Sequence, residues 1–309
     1  MNTHAVKHDP SVWTDGVAFV DQAYRPIGEA AIPLLDWGFT RGDACQDTVS
    51  VRNGRFFRLA DHLDRFERSC LGLRYQLPVN RAEIEDILHR CVAKSGLAHA
   101  TVQMIATRGS GPSASRDPRR CVNRFMAFAI PFVVVANAEQ MARGLSARIV
   151  SRWRLPPDSV PSQIKNYNWI DFVLSLFEAY DDDCETAILR NHLGGISEGP
   201  GFNIFARFGA TLVTPGYNVL EGITRRCVFE ICGEIGQPVE TRQLTEVELV
   251  AADEVFACST AGGIMPITRI DAAAVGDGRP GSLTCKLAGI YWRKRDEGWH
   301  ATPVRGAKT

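Results

Sequence analysis

A chain of 309 residues with 35 basic and 35 acidic side chains has no formal net charge, which argues against a nucleic acid or anionic membrane held by bulk charge. Hydrophobic residues at 45% and charged ones at 23% fit an ordinary soluble globular protein, as one large domain or two modest ones. Nine cysteines, an odd set without a CxxC pair, read as reduced thiols rather than a disulfide framework or a zinc site.

Residues 1–15 are polar and read as a loose arm without an apolar signal segment. Gly16–Val20 and Tyr24–Ile27, split by Asp21-Gln22, predict a hairpin. Cys45–Val51, Asn53-Gly54 and Arg55–Leu59 predict a second, because Asn-Gly supplies the positive φ angles of a type I′ turn. Asp61 is placed to cap the next helix, whose Leu63, Phe66, Cys70 and Leu73 share a face. Another helix, about 80–95, ends at Gly96. Thr101–Thr107 and Arg124–Val135 read as strands around a Gly/Pro/Ser/Arg loop at 108–123. The longest apolar run, Phe125 to Ala136, is broken by Pro131 and too short to span a bilayer, so a cytoplasmic protein is expected. A boundary at Asn137–Gly144 divides the chain into an N-terminal domain (1–136), a linker (137–144) and a C-terminal domain (145–309).

Beyond the boundary, Leu145, Ala147 and Ile149 restart strand structure. A Pro-rich approach (Pro156, Pro157, Pro161) leads to Ser162–Trp169. A helix follows on which Trp169, Phe172, Val173, Leu176 and Tyr180 recur at helical spacing. Short strands come at about 186–191, 202–208 and 211–213. A helix from Ile223 turns Val228, Ile231 and Ile235 to one side and stops at Gly236. Strands near 254–258 and 264–270 and a helix at roughly 281–295 complete the chain. There is no internal repeat, low-complexity block or GxGxxG fingerprint. Short strands mixed with helices favour two α+β domains over a doubly wound sheet.

Lys165 stands between the prolines and the apolar helix. A lysine loses its proton readily when desolvated, which makes it the usual Schiff-base residue, although a lysine before a helix is most often solvated. Three later features change its context: Glu198 in the turn Gly194–Gly201, Ile223 and Thr224 after Gly222 at a helix start, and Thr260 within Ser259–Gly263. Lysine, carboxylate and two phosphate-type cradles are the parts that a pyridoxal 5′-phosphate (PLP) site requires. The lysine holds an aldehyde and moves protons, the carboxylate keeps the pyridine nitrogen cationic, and helix-start amides bind the phosphate. Each part has an ordinary alternative: a solvated turn carboxylate, a plain helix cap, a tight loop rather than an anion-binding nest. On these residues alone both readings stay open.

Five strings, RLADHLDRFERS (58–69), IKNYNW (164–169), ISEGPGFNIF (196–205), VLEGITRR (219–226) and STAGGIMP (259–266), together resemble the class IV aminotransferases. These are fold-type IV PLP enzymes that include branched-chain, D-amino acid and (R)-selective amine transaminases as well as aminodeoxychorismate lyases. The resemblance spans about residues 16–295. It implies an α+β fold with a small N-terminal α/β sandwich and a larger C-terminal domain with a barrel-like β core. The cofactor would lie between them, and a homodimer would complete each pocket. It further implies Lys165 as the catalytic Schiff-base residue, Glu198 as partner of the pyridine nitrogen, and Arg65, Ile223, Thr224 and Thr260 as phosphate ligands. Leu220 would pack against the ring. Arg65 lies off the apolar stripe, where periodicity alone reads a solvated arginine.

Within this family the expected reaction moves an amino group, by a ping-pong mechanism, between a D-amino acid or (R)-amine and a 2-keto acid such as pyruvate or 2-oxoglutarate. Branched-chain enzymes carry a Phe-Glu-Gly-Ile-Arg type string where this chain has Asp47–Val51. The layout around Gly38–Asp43 and Ser115–Pro118 is more like the (R)-amine and D-amino acid enzymes. Arg41 occupies the place of a carboxylate-binding arginine in some of them. Arg116, beside the loop Gly109–Ser115, is a second candidate; the ordinary alternative is that both are solvated. Gln46 stands where an amine transaminase more often shows an aromatic residue, which weighs against a pure amine enzyme. The alternatives are a branched-chain transaminase, an aminodeoxychorismate-type carbon–carbon lyase and a catalytically silent binding protein.

Overall fold

The computed structural model describes residues 12–112 and 115–306; residues 1–11 of the expected arm, and Ser113 and Ala114 of the expected flexible loop, lie outside the described residues. The chain divides into two compact units, Met1–Val133 with His300–Thr309, and Val134–Trp299. Each is a mixture of helices around one sheet.

In the first unit, β1 (Val17–Val20) and β2 (Ala23–Pro26) form the expected hairpin, with Asp21 and Gln22 both at positive φ. A short helix α1 (Trp37–Thr40) precedes β3 (Ala44–Arg52), which turns through Asn53 and Gly54, both at positive φ, into β4 (Arg55–Phe57). Then come α2 (Leu59–Gly72), α3 (Arg81–Ser95), β5 (Ala100–Ser110) and β6 (Val122–Pro131). β15 (Ala301–Pro303) returns from the far end of the chain to pair with β4, so the helix before it is not the last element. The sheet order is β15-β4-β3-β5-β6-β1-β2.

α3 is bounded by a capping box, Asn80 with Glu83, and by Gly96 in the left-handed conformation. α2 starts differently from expectation. Its N-cap is Arg58 at φ +51°, and Asp61 lies inside the first turn, where its carboxylate accepts from Arg58 Nη1 at 2.7 Å. Burial of Leu59 and Leu63 draws the helix start ahead of the aspartate. β6 ends at Pro131, short of Val135, because proline cannot donate to a ladder.

In the second unit the expected linker 137–144 holds a helix instead, α4 (Ala138–Arg143), whose start is a capping box of Asn137 and Gln140. There follow β7 (Leu145–Trp153), α5 (Ile170–Asp181), β8 (Thr186–Arg190), β9 (Asn203–Phe208) and β10 (Thr211–Thr214). Next are α6 (Ile223–Ile235), β11 (Val239–Thr241), α7 (Glu246–Val250), β12 (Glu254–Ser259), β13 (Gly263–Ile270), β14 (Ala273–Ala274) and α8 (Ser282–Asp296). The strands run in the order β11-β10-β9-β12-β13-β7-β8, with β14 on β13. The core is made of fully buried side chains on these strands, among them Ile188, Ile204, Ala257 and Met265. α5 has the expected period but not the expected burial: Phe172, Ser175 and Ala179 face inward, while Val173 and Tyr180 are exposed. No helix among the described residues is long and apolar enough to cross a membrane.

Glu254 caps α8 from a neighbouring strand. Its buried carboxylate accepts from the amides of Leu283 (3.1 Å) and Thr284 (2.8 Å), the Thr284 hydroxyl (2.8 Å) and Arg207 Nη1 (2.6 Å). Gly281 is needed beside it, since a Cβ there would stand 2.0 Å from Glu254 Cδ. Burial alone would raise the carboxyl pKa, but these donors outweigh it and hold the group below its ordinary value. Glu254→Gln should therefore cost about 1–3 kcal/mol at neutral pH. A carboxyl depressed in the folded state stabilises above its unfolded pKa, so the wild-type advantage should shrink as the pH falls through the carboxylate range. Denaturation midpoints of both proteins at neutral and acid pH check this; a gap that does not change with pH contradicts it.

Candidate active site

Glu198 does not sit in a solvated turn. The Gly-rich segment folds back on β8, with the Ser197 amide donating to Leu189 O and the Leu189 amide to Glu198 O, both at 2.9–3.0 Å. This short return segment turns the side chain inward, where Glu198 is 4% exposed. Its Oε1 accepts from Arg154 Nε at 3.1 Å. Its Oε2 accepts from the Leu220 amide at 2.9 Å and, at the limit of bonding, from Asn203 Nδ2 at 3.5 Å. Burial pushes the carboxyl pKa up, and Arg154, the Leu220 amide and the charge of Lys165 pull against it. Lys165 thus lies close enough to act on Glu198. It is half-buried in a loop between β7 and α5 that is tied to the Leu220 segment by Gln163 Nε2 donating to Val219 O (3.1 Å). An Asx turn stiffens the residues after it, with the Asn168 amide donating to Asn166 Oδ1 at 2.9 Å.

Leu220 links this pair to the start of α6, because Asn203 Nδ2 also donates to Leu220 O at 2.9 Å. The N-cap of α6 is Gly222, with no capping side chain, so the ordinary alternative of a capped helix start does not apply there. Ile223 and Thr224 are both buried. Thr260 lies in a hairpin loop, since Ser259 and Gly263 are cross-strand partners; the Gly262 amide donates to Ser259 Oγ at 2.9 Å. Buried Tyr291 of α8 backs both features: its hydroxyl is bonded to Thr224, and its ring edge would lie 3.2 Å from a Cβ at Gly263. The structure therefore gathers Lys165, Glu198, Leu220, Ile223, Thr224 and Thr260 in one region of the second unit.

Arg65 belongs to the first unit and is not solvated. It is 3% exposed, and its Nε and Nη2 donate to the two oxygens of buried Asp47 at 2.7 and 2.8 Å. His62 Nδ1 shares Asp47 Oδ1 at 2.8 Å. Burial would raise the pKa of Asp47, yet Arg65 and His62 hold it well below the carboxylate range. Burial lowers the pKa of His62, and because an ionised carboxylate can only accept, its Nδ1–H is the donor. Arg41 is exposed and stacks its guanidinium 4.1 Å from the Trp37 ring centroid. Arg116 is exposed too, and the thiol of Cys121 feels both Arg41 and Asp117, which places this loop near Arg41. Sequence reasoning missed Arg154, Asn203, Tyr291, Asp47 and His62 as parts of these clusters. Asn203 and His62 lie inside the strings that carried the resemblance; Arg154 and Tyr291 had no local signal.

The residues of the second unit fit PLP. A carboxylate offers about four acceptor sites, and three donors already meet Glu198, which leaves one direction for a cationic nitrogen. The uncapped amides opening α6 suit a phosphate. Residues 44–270 match the amino-transferase class IV family. The chain is 30% identical to a putative branched-chain-amino-acid aminotransferase of Methanocaldococcus jannaschii, over 87% of this chain and 91% of that one. It is 28% identical to a D-alanine aminotransferase of Listeria monocytogenes, over 84% and 89%. The branched-chain amino acid aminotransferase of Thermobaculum terrenum, solved in its PLP form, superposes with a TM-score of 0.83 at 27% identity, over 93% of this chain and 98% of that one. A fold-type IV, PLP-dependent aminotransferase is the class so defined. The chain belongs to the class IV aminotransferases.

Gly222 gives a test of the assembled region. A Cβ at this position would stand 2.0 Å from Asn203 Oδ1, so Gly222→Ala must displace the side chain that holds Leu220 and touches Glu198. Cofactor affinity should fall by roughly tenfold or more while the circular dichroism spectrum is kept. Unchanged affinity in a fluorescence titration contradicts the arrangement.

Proposed function

We propose that Lys165 holds the cofactor covalently and moves the proton at the substrate Cα, that Glu198 faces the ring nitrogen, and that Arg65, Ile223, Thr224 and Thr260 bind the phosphate with Leu220 against the ring. The observation that supports this most is the placement of Lys165 within electrostatic reach of a buried Glu198 whose donors leave one side open. When bound, PLP supplies an aldehyde for the donor amine and a ring that accepts an electron pair. The chain's own residues orient and exchange protons. Lys165, half-buried in its loop, would take the proton from the substrate Cα and deliver it to the carbon that had been the aldehyde; the amides opening α6 would fix the phosphate end.

The donor we propose is a D-amino acid or (R)-amine and the acceptor a 2-keto acid. Arg41 and Arg116 support this: both are exposed cations near one loop, and a guanidinium fork binds carboxylate bidentately yet can turn to water when the ligand is apolar. The likeness to branched-chain aminotransferases of known structure favours a second reading, transfer from L-branched-chain amino acids. We further place the enzyme in the cytoplasm as a homodimer. Nine unpaired thiols support a reducing compartment. The exposed apolar face of α5, formed by Ile170, Val173, Leu174, Phe177 and Tyr180, supports a surface that a second copy covers.

A donor panel of both enantiomers of alanine, leucine, glutamate and 1-phenylethylamine, with pyruvate and 2-oxoglutarate as acceptors, separates the readings. Turnover confined to the L-amino acids assigns the second. Loss of one charge-assisted contact costs about 1.5–3 kcal/mol. Arg41→Ala or Arg116→Ala should therefore raise the KM for a keto acid or D-amino acid by roughly ten- to a hundredfold and leave that for (R)-1-phenylethylamine nearly unchanged. Equal losses for charged and uncharged donors move carboxylate recognition to other residues.

A further inference from the structure

Arg154 follows β7 and is 9% exposed, among the few arginines buried in the second unit. Its contacts join three parts of the site. Nε donates to Glu198 Oε1, Nη1 donates to Asp171 Oδ2, and the guanidinium carbon lies 4.1 Å from the centroid of the Phe172 ring. Its backbone amide donates to Arg190 O at 2.8 Å, which anchors it to the end of β8. Asp171 is itself fixed in the first turn of α5, where the helix dipole favours an anion; its oxygens also accept from the Phe172 amide (2.9 Å) and the Leu155 amide (3.3 Å). Residues 154 and 171 bracket the loop that carries Lys165, so one ion pair both closes that loop and touches Glu198.

We propose that Arg154, balanced by Asp171, is a positioning residue for the transamination: it keeps the Glu198 carboxylate ionised, so that the proton shared between Glu198 and the cofactor ring nitrogen stays on the nitrogen. This rests on the reading above that Glu198 faces that nitrogen. A buried acid and a pyridine can share a proton as a neutral pair or as an ion pair, and burial favours the neutral pair. A cation bonded to the carboxylate reverses that preference. An arginine alone would also cancel the charge that the ring must meet. Asp171 removes that problem, because Asp171, Arg154 and Glu198 together carry one net negative charge, the complement of one cationic nitrogen. The other charges acting on Glu198 are Lys165, from the loop, and Arg225, from α6. Arg225 spends its donors on Thr214 Oγ1 (3.3 Å) and Pro215 O (3.1 Å), so Arg154 is the arginine bonded to the carboxylate.

The test uses the holoenzyme reconstituted with PLP carrying 15N at the ring nitrogen, whose NMR shift separates a protonated from a neutral pyridine. The wild type should give the protonated shift and Glu198→Gln the neutral one. Arg154→Gln should also give the neutral shift although Glu198 is intact, and Arg154→Lys, which keeps the charge, should restore the protonated one. In the double variant Arg154→Gln/Glu198→Gln the shift should match that of Glu198→Gln alone. A protonated nitrogen in Arg154→Gln beside a neutral one in Glu198→Gln overturns the proposal. A protonated nitrogen in Glu198→Gln instead overturns the reading of Glu198 on which it rests. If Arg154→Gln does not fold, the wild type still decides. The 13C carboxyl resonance of Glu198, assigned by its loss in Glu198→Gln, should report a carboxylate in the holoenzyme, and a protonated carboxyl there overturns the proposal.

Discussion

A buried carboxylate without enough donors is among the costlier features a fold can contain, and the second unit is arranged around one. Glu198 reaches the interior because a glycine-rich return segment exchanges backbone hydrogen bonds with Leu189. It remains there because Arg154, the Leu220 amide and Asn203 converge on it from the end of β7, the approach to α6 and the start of β9. Those donors also fix the neighbours on which the proposed chemistry rests. Leu220 cannot move without disturbing the carboxylate, and the uncapped start of α6 follows it by three residues. The lysine loop is held at the Leu220 segment by Gln163 and at its base by the Arg154–Asp171 pair. Residues spread over some seventy positions of sequence are therefore held by one electrostatic requirement.

The first unit repeats the device with different partners. Asp47 on β3 is fully buried and is met by Arg65 and His62, one helical turn apart on α2. The alternation of β3 turns Cys45 toward the same helix, where its sulfur lies 3.7 Å from that of Cys70. Removal of either charged partner would leave the other uncompensated in the interior, so the pair specifies how α2 lies on β3 more than it adds to stability. It also explains why Arg65 is not a surface residue in spite of its place off the apolar stripe.

The features legible in the sequence are those whose cause is local. Asn53-Gly54 names its turn through the φ angles it permits, and Gly96 and Gly236 mark helix ends in the left-handed conformation. Even the misread linker carried a local signal, since Asn137 followed three residues later by Gln140 is a capping box. Its polar composition hid a short helix. Other features depend on partners far along the chain. Periodicity located α5 but could not say that Val173 and Tyr180 face outward. Nothing near residue 301 announces pairing with β4, and nothing near residue 154 announces Glu198. The site was legible chiefly through the five strings taken together, because each part alone has a commoner explanation. Substrate choice was not legible. It depends on side chains that meet the part of the substrate remote from the reacting carbon, and relatives named for D-alanine and for branched-chain amino acids resemble this chain to a similar degree.

The chemistry proposed for this site requires Lys165 to be the residue joined to the cofactor. Borohydride reduction of the holoenzyme followed by proteolysis and mass spectrometry tests it directly, because reduction makes the link permanent. The phosphopyridoxyl mass should appear on the peptide that contains Lys165 and fragment to that side chain. The same mass on another lysine, or its absence from a protein that binds the cofactor and turns over substrate, would contradict the account.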